Sequence, residues 1–178
     1  KQAYQDDLDA INIVRAARPD VAIFASLKLL AEDTFPGWVK SGGSVDADDY
    51  SVLLENYLVF MKQNGVTVDF LGVDCEQLFN KGGITPAKYN KIVSNVRDFC
   101  KANGIKVPSF IAPEDYGPVQ DTAWLKDLAQ TSAGFSNVDN VGVHLYSKHR
   151  DPGYVDAIEA LARNDHGICW KCSATSRP

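Results

Sequence analysis

Hydrophobic positions along the chain recur at two alternating spacings. Residues 3–17, "AYQDDLDAINIVRAA", carry Leu8, Ile11 and Val14 at helical intervals. Residues 18–26, "RPDVAIFAS", then turn to a short β-branched and aromatic run that predicts a strand. A loop with Pro36 and the pair Gly42–Gly43 leads to "DADDYSVLLENYLVFMKQNG", residues 46–65. Leu53, Tyr57, Leu58 and Met61 give this segment a helical stripe, and Gly65 is its stop. "VTVDFLGV", residues 66–73, predicts a strand. The clearest helix is "TPAKYNKIVSNVRDFCKANG", residues 85–104, with Thr85 as N-cap, Pro86 at N1 and Gly104 just past the end. Its apolar face is Tyr89, Ile92, Val93, Val96 and Phe99. Residues 105–113 predict a strand, 121–130 a short helix and 138–147 a strand. Residues 151–164 repeat the cap-and-proline signature with Asp151 and Pro152, and "GICWKCS", residues 167–173, closes as a strand.

Strands separated by helices of this length predict βαβ units and a parallel sheet. The fold class expected is therefore α/β, one domain over residues 1–178 with about five strands. Two architectures fit: an open doubly wound sheet, or part of a (β/α)8 TIM-like barrel. Neither a G-x-G-x-x-G turn nor a G-x-x-x-x-G-K-[ST] loop occurs, which removes the usual dinucleotide and phosphate-cradle signatures. No close sequence repeat stands out beyond the alternation.

Composition narrows the function classes. The chain has 178 residues, 45% hydrophobic and 23% charged, as in an ordinary globular domain. A net charge of −5 without basic clusters gives no footprint for nucleic acid or an anionic membrane surface. The longest apolar runs fall far short of a membrane span. The chain opens on Lys1 with no charged-then-apolar leader, which reads as a mature end or a cut fragment. Cys75 and Cys100 sit in apolar contexts. Cys169 and Cys172 form C-x-x-C, a weak half-motif for redox or metal chemistry, and His144, His149 and His166 lack finger spacing. Structural thiols are the simplest reading, so no metal and no cofactor are expected.

Chemistry gathers at the strand ends. The first strand ends near Ser26 and Lys28, the second on Asp74, Cys75 and Glu76, and the third at Glu114 and Asp115. The fourth ends at His144, Tyr146 and His149, and the fifth gives Trp170. In parallel α/β sheets, ligands bind where strands finish. Carboxylates, an imidazole and aromatic rings on one rim suit a neutral polyhydroxylated ligand, because an acid can protonate a leaving oxygen there.

These residues carry a resemblance. The tracts Ala25–Ser26 and "FPGWVKSGG", the strand ending in Cys75, Glu76 and Gln77, then "FIAPE" and "GVHLYS", resemble in order and spacing the central part of a clan A glycoside hydrolase barrel, most of all glycoside hydrolase family 30. The resemblance implies the third to seventh strands of a TIM barrel and a retaining carboxylate mechanism on a β-linked glycan. It implies Glu76 as general acid/base. It implies Trp38, Cys75, His144, Tyr146 and Trp170 as substrate-binding residues, with Cys75 where the family has Asn. Glu114 falls at a polar position of the fifth strand to which no catalytic role attaches. It also implies an oligosaccharide or polysaccharide partner and an extracellular or periplasmic setting. The family's nucleophile is a Glu on the seventh strand, and aligning Trp170 puts that column near Ser173. No carboxylate follows Asp165. A second carboxylate about 5–5.5 Å from the first is required for retention. A full barrel has about 250 residues, so this chain leaves two strand edges, for which three covers are open: a partner chain such as a second copy, another closure of the fold, or the rest of a longer protein.

Plainer roles stand beside these. Glu76 could be a surface carboxylate, Asp74 a loop cap, His144 a core histidine and Tyr146 a packing residue. Trp38 and Trp124 could pack between helix and sheet. The acidic run from Asp46 to Asp49 reads as a helix start, not a calcium loop. Three functions are in play: a glycoside hydrolase core, a catalytically inactive carbohydrate-binding relative, and a thiol or metal protein through Cys169 and Cys172.

Overall fold

A computed structural model describes residues 2–27, 36–75, 83–115 and 118–143, together with Asp156 and Ala160. The helix expected over 151–164 and the strand over 167–173 lie outside this set, except that Asp156 and Ala160 are both helical.

The helices expected over 46–65 and 85–104 begin where their end signals predict, while the short helix expected over 121–130 begins three residues before 121, at Pro118. Helix α1 is Gln2–Ala17. Helix α2, Ala47–Gln63, starts because Asp46 Oδ1 accepts from the backbone N–H of Asp48 (2.9 Å) and Asp49 (3.2 Å). Asp48 then faces α3, Pro86–Ala102, where Lys91 Nζ donates to it at 2.6 Å. Thr85 Oγ1 caps α3 by accepting from Lys88 N at 3.3 Å. Gly104, at φ 60°, takes the left-handed turn after α3. Lys62, in the last turn of α2, donates to Asn103 O and Gly104 O at the end of α3 (2.9 and 3.0 Å), so one ammonium serves two helix C-termini. Helix α4 is Pro118–Ala129.

Among the described residues six strands accompany the helices: β1 (Phe24–Ser26), β2 (Lys40–Ser41), β3 (Ser44–Val45), β4 (Phe70–Gly72), β5 (Ser109–Asp115) and β6 (Asn140–Val143). The stretch expected as plain loop around Gly42–Gly43 is corrected. After a 3-10 turn at Gly37–Val39, β2 and β3 pair as a small antiparallel hairpin. Its two-residue turn needs positive φ at both positions, and Gly42 and Gly43 supply 61° and 83°. Lys88 Nζ holds the hairpin to α3 by donating to Ser44 Oγ and Val45 O.

The other four strands form one sheet in the order β1-β4-β5-β6, every neighbour parallel. Sequential order without a reversal means that the sheet is singly wound. A doubly wound sheet would change direction at a switch point, so the barrel-like alternative is the one found. Among the described residues the sheet is open and no closed barrel forms.

Burial separates the two faces. Leu71, Phe110, Ala112 and Val141 are buried in one core with Tyr50, Met61, Tyr89, Ile92 and Leu125 of the helices. On the opposite face Phe24 is 52% exposed, Ser26 is exposed, and Phe70 and Ile111 are half-buried. Two expected core positions move outward: Val14 is 47% exposed and Phe99 only half-buried, with Cys100 buried in its place. Burial, then the charge of Glu55, pushes the Cys100 thiol up to about 11, so it packs as a small hydrophobe.

Candidate active site at the strand tips

Strands β4 and β6 sit in the same six-residue pattern, "VDFLGV" at 68–73 and "VDNVGV" at 138–143. The pattern is a short repeat that the alternation alone does not reveal, and each of its polar positions does the same task twice. Asp69 Oδ2 accepts from Ile23 N at 2.9 Å, just before β1, and its other oxygen accepts from Lys106 Nζ at 2.9 Å. The Ile23 N–H, and after it Lys106, holds the Asp69 carboxyl below its ordinary range. Asp139 Oδ2 accepts from Phe110 N of β5 and from Arg97 Nη2, both at 2.7 Å. Each aspartate thereby fixes its strand's register against the preceding neighbour at the sheet's lower end.

The glycines of the pattern, Gly72 and Gly142, lie toward the other end and frame Glu114. Alternation along β5 would send Glu114 to the helix side with Phe110 and Ala112. Instead the register with β6 slips between Pro113 and Asp115, and Glu114 takes a φ of 53°. Positive φ is uncommon for a residue with a Cβ, and bulges of this kind re-aim side chains near functional sites. The Ala112–Pro113 peptide just before it is cis. The carboxyl emerges on the free face, crosses β4 and accepts from Ser26 Oγ of β1 at 3.1 Å.

That crossing requires the two glycines. A Cβ on Gly72 would fall on Glu114 Oε2 and lie 2.6 Å from Ser26 Oγ. A Cβ on Gly142 would come within 2.9 Å of Glu114 Cγ and 2.7 Å of Ile111 Cγ2. Glu114 is only 3% exposed. Burial pushes its carboxyl up to about 7, and the Ser26 hydrogen bond acts weakly in the opposite sense. Near neutral pH the group can therefore hold or release a proton.

The residues expected at the site divide by whether they are described. The β4 backbone continues through Val73 and Asp74, where Tyr50 Oη donates to Val73 O at 2.6 Å and Asp74 is 1% exposed. Cys75 N donates to Leu27 O at 2.9 Å, so the chains leaving β1 and β4 run on together. Glu76, the next residue, lies outside the described residues, as do His144, Tyr146 and Trp170. Trp38 stands in the 3-10 turn, 49% exposed, with Val39 buried beside it. Trp124 packs in the core, edge-on to Tyr89 with ring centroids 5.3 Å apart. Cys169 and Cys172 also fall outside the described residues. Among the described residues no group of three or more His, Cys, Asp or Glu is placed to hold a metal ion.

No protein-family model matches the sequence, and no curated protein matches it. Solved structures do. The GH30 endoxylanase from Clostridium papyrosolvens C71 superposes with a TM-score of 0.55 at 20% identity, over 85% of this chain and 40% of that one. The fold is GH30-like. The catalytic domain of GH30 xylanase C from Talaromyces cellulolyticus superposes with a TM-score of 0.50 at 13% identity, over 67% of this chain and 31% of that one. The chain thus spans 31% and 40% of the lengths of these two solved structures. In this GH30-like frame, β1, β4, β5 and β6 are consecutive strands of one parallel sheet, and Ser26, Cys75 and Glu114 all lie where strands end.

Proposed function

We propose that the chain is the core of a glycoside hydrolase acting on a β-linked glycan by a retaining mechanism, with Glu76 as general acid/base. The observation that carries it is the GH30-like fold with the β4 backbone held, through Cys75, to the residue before Glu76. The tip of such a strand is where parallel barrels do their chemistry. Glu76 donates its proton to the glycosidic oxygen as the sugar's anomeric carbon passes to a nucleophilic carboxylate, and later withdraws a proton from the water that displaces that carboxylate. The nucleophilic carboxylate of the same mechanism is not found in this sequence. Trp38, Cys75, His144, Tyr146 and Trp170 line the sugar. The neighbours are xylanases, so xylan and aryl β-xylosides are the first substrates to assay. An extracellular or periplasmic setting goes with this function. No described helix is long and apolar enough to cross a membrane.

Replacing Glu76 by Gln is expected to lower xylan hydrolysis by about 10²- to 10⁴-fold. Full activity in that variant removes the assignment. One observation favours a second reading: with Trp170 aligned to the family's Trp, the nucleophile column falls near Ser173. A chain that binds without turnover would show saturable xylo-oligosaccharide binding by calorimetry and no release of reducing ends.

A further inference from the structure

We propose that Ser26 Oγ is a contact for a sugar hydroxyl on the free face of the sheet, and that Glu114 is the positioning residue that fixes its direction. The ligand class rests on the carbohydrate reading above; the Ser26–Glu114 pair does not.

The pair is built, not incidental. Glu114 reaches Ser26 across an entire intervening strand, a span of about 10 Å between β1 and β5. Three separate features make the reach possible: the register slip with a φ of 53°, Gly72 beneath the carboxyl, and Gly142 beside its stem. A side chain at either glycine would block it. A hydroxyl has one proton and two acceptor lone pairs. Ser26 donates its proton inward to Glu114, so its lone pairs are left for the solvent side, where Ser26 is exposed. An exposed oxygen of fixed polarity suits a ligand hydroxyl that donates. Phe24, two residues back on the same face and 52% exposed, lies roughly 7 Å away along the strand. That is about the width of a sugar ring, whose C–H surface can rest on the aromatic ring.

Protonation of Glu114 reverses the pair. A neutral carboxyl can donate to Ser26 Oγ, and the serine then offers its proton outward. Tyr89 of α3 registers Glu114's charge, and it also registers Asp139 and Arg97, which pair with each other.

Two measurements on the 178-residue chain test the proposal. In the first, xylotriose and cellotriose are titrated calorimetrically into wild type, Ser26→Ala, Glu114→Ala and Glu114→Gln between pH 5.5 and 8.5, buffers of about that range bracketing a midpoint near 7. Circular dichroism confirms that each variant is folded. Ser26→Ala is expected to weaken binding by about tenfold, the loss of one hydrogen bond. Glu114→Ala should weaken it comparably. Glu114→Gln, whose amide oxygen still accepts from Ser26, should restore most of the affinity while losing the wild-type pH dependence. A merely structural tie between β1 and β5 would move stability but leave affinity and its pH profile unchanged. Equal binding by folded Ser26→Ala overturns the proposal and leaves the carbohydrate reading standing. Failure of both sugars to bind wild type overturns both. In the second, the 13C-labelled Glu114 carboxyl is followed by NMR without ligand. Its midpoint should rise in Ser26→Ala, because the donated hydrogen bond stabilises the carboxylate. An unmoved midpoint overturns the positioning role whatever the calorimetry shows.

Discussion

Glu114 concentrates the unusual physics of this chain in one residue. Its backbone sits at positive φ, its carboxyl is buried, and its proton affinity is raised until it titrates near neutrality. The sign of the resulting pH effect is opposite to the common carboxylate case. Between its ordinary value of 4.5 and about 7, Glu114 is protonated when folded and ionised when unfolded. The native state therefore binds more protons there, and stability falls as pH rises through that window. The expected loss is on the order of 3 kcal/mol. Urea unfolding of Glu114→Gln should lack this decline and exceed wild type at pH 8; identical pH profiles would contradict the burial argument. Asp69 contributes in the ordinary direction. Its lowered proton affinity stabilises the fold above its unfolded value of 3.8, and that stability is lost as pH falls through the folded value. Gly72 is the matching test of geometry. Gly72→Ala should destabilise by about 2 kcal/mol or more, since a methyl would overlap the Glu114 carboxyl. Adding Glu114→Ala should recover much of that loss, and simple additivity in the double variant would show that the two sites are independent.

At the scale of elements, the helices are specified locally and the strands by one another. The caps at Asp46 and Thr85, the proline at the start of α3, and Gly65 and Gly104 after the helices stand where the sequence predicts them, because capping depends on a few neighbouring residues. The strands were legible as apolar runs, but the two aspartates that set their register were not. Asp69 and Asp139 act through backbone N–H groups 46 and 29 residues away in sequence, which no local pattern announces. Only the paired "VDFLGV" and "VDNVGV" segments could have pointed to them. Asp139→Ala should cost about 1–3 kcal/mol, because it leaves the Phe110 N–H and the Arg97 guanidinium without this acceptor. Denaturant midpoints measure it, and a change within about 0.5 kcal/mol would place the register elsewhere. The site was half legible for the same reason. Cys75 and Glu114 were named as strand-end residues, but alternation points Glu114 to the wrong face. Its turn toward Ser26 depends on the slip against β6.

The described residues form a singly wound sheet of consecutive parallel strands with helices against one face, and within them the outer strands β1 and β6 each have a single partner. Along β1 and α1 runs a groove of about 590 Å3, lined by Ile11, Val14, Phe24 and Tyr57 among others. Unpaired strand edges beside apolar surface favour association. Sedimentation should therefore show concentration-dependent association of the chain, weakened about tenfold by Val14→Lys with Phe24→Lys; a monomer at all concentrations would show that the edges are covered from within. By itself the sequence determined the alternation of the described helices with the four sheet strands, the parallel α/β class and the caps of α2 and α3, because periodicity and capping act over one or two turns of chain. Tertiary structure alone decided which neighbour each strand took, that the winding never reverses, and that a glutamate destined by alternation for the core faces Ser26 instead. Those outcomes depend on backbone groups and glycines far apart in sequence, which meet only when the sheet closes its register.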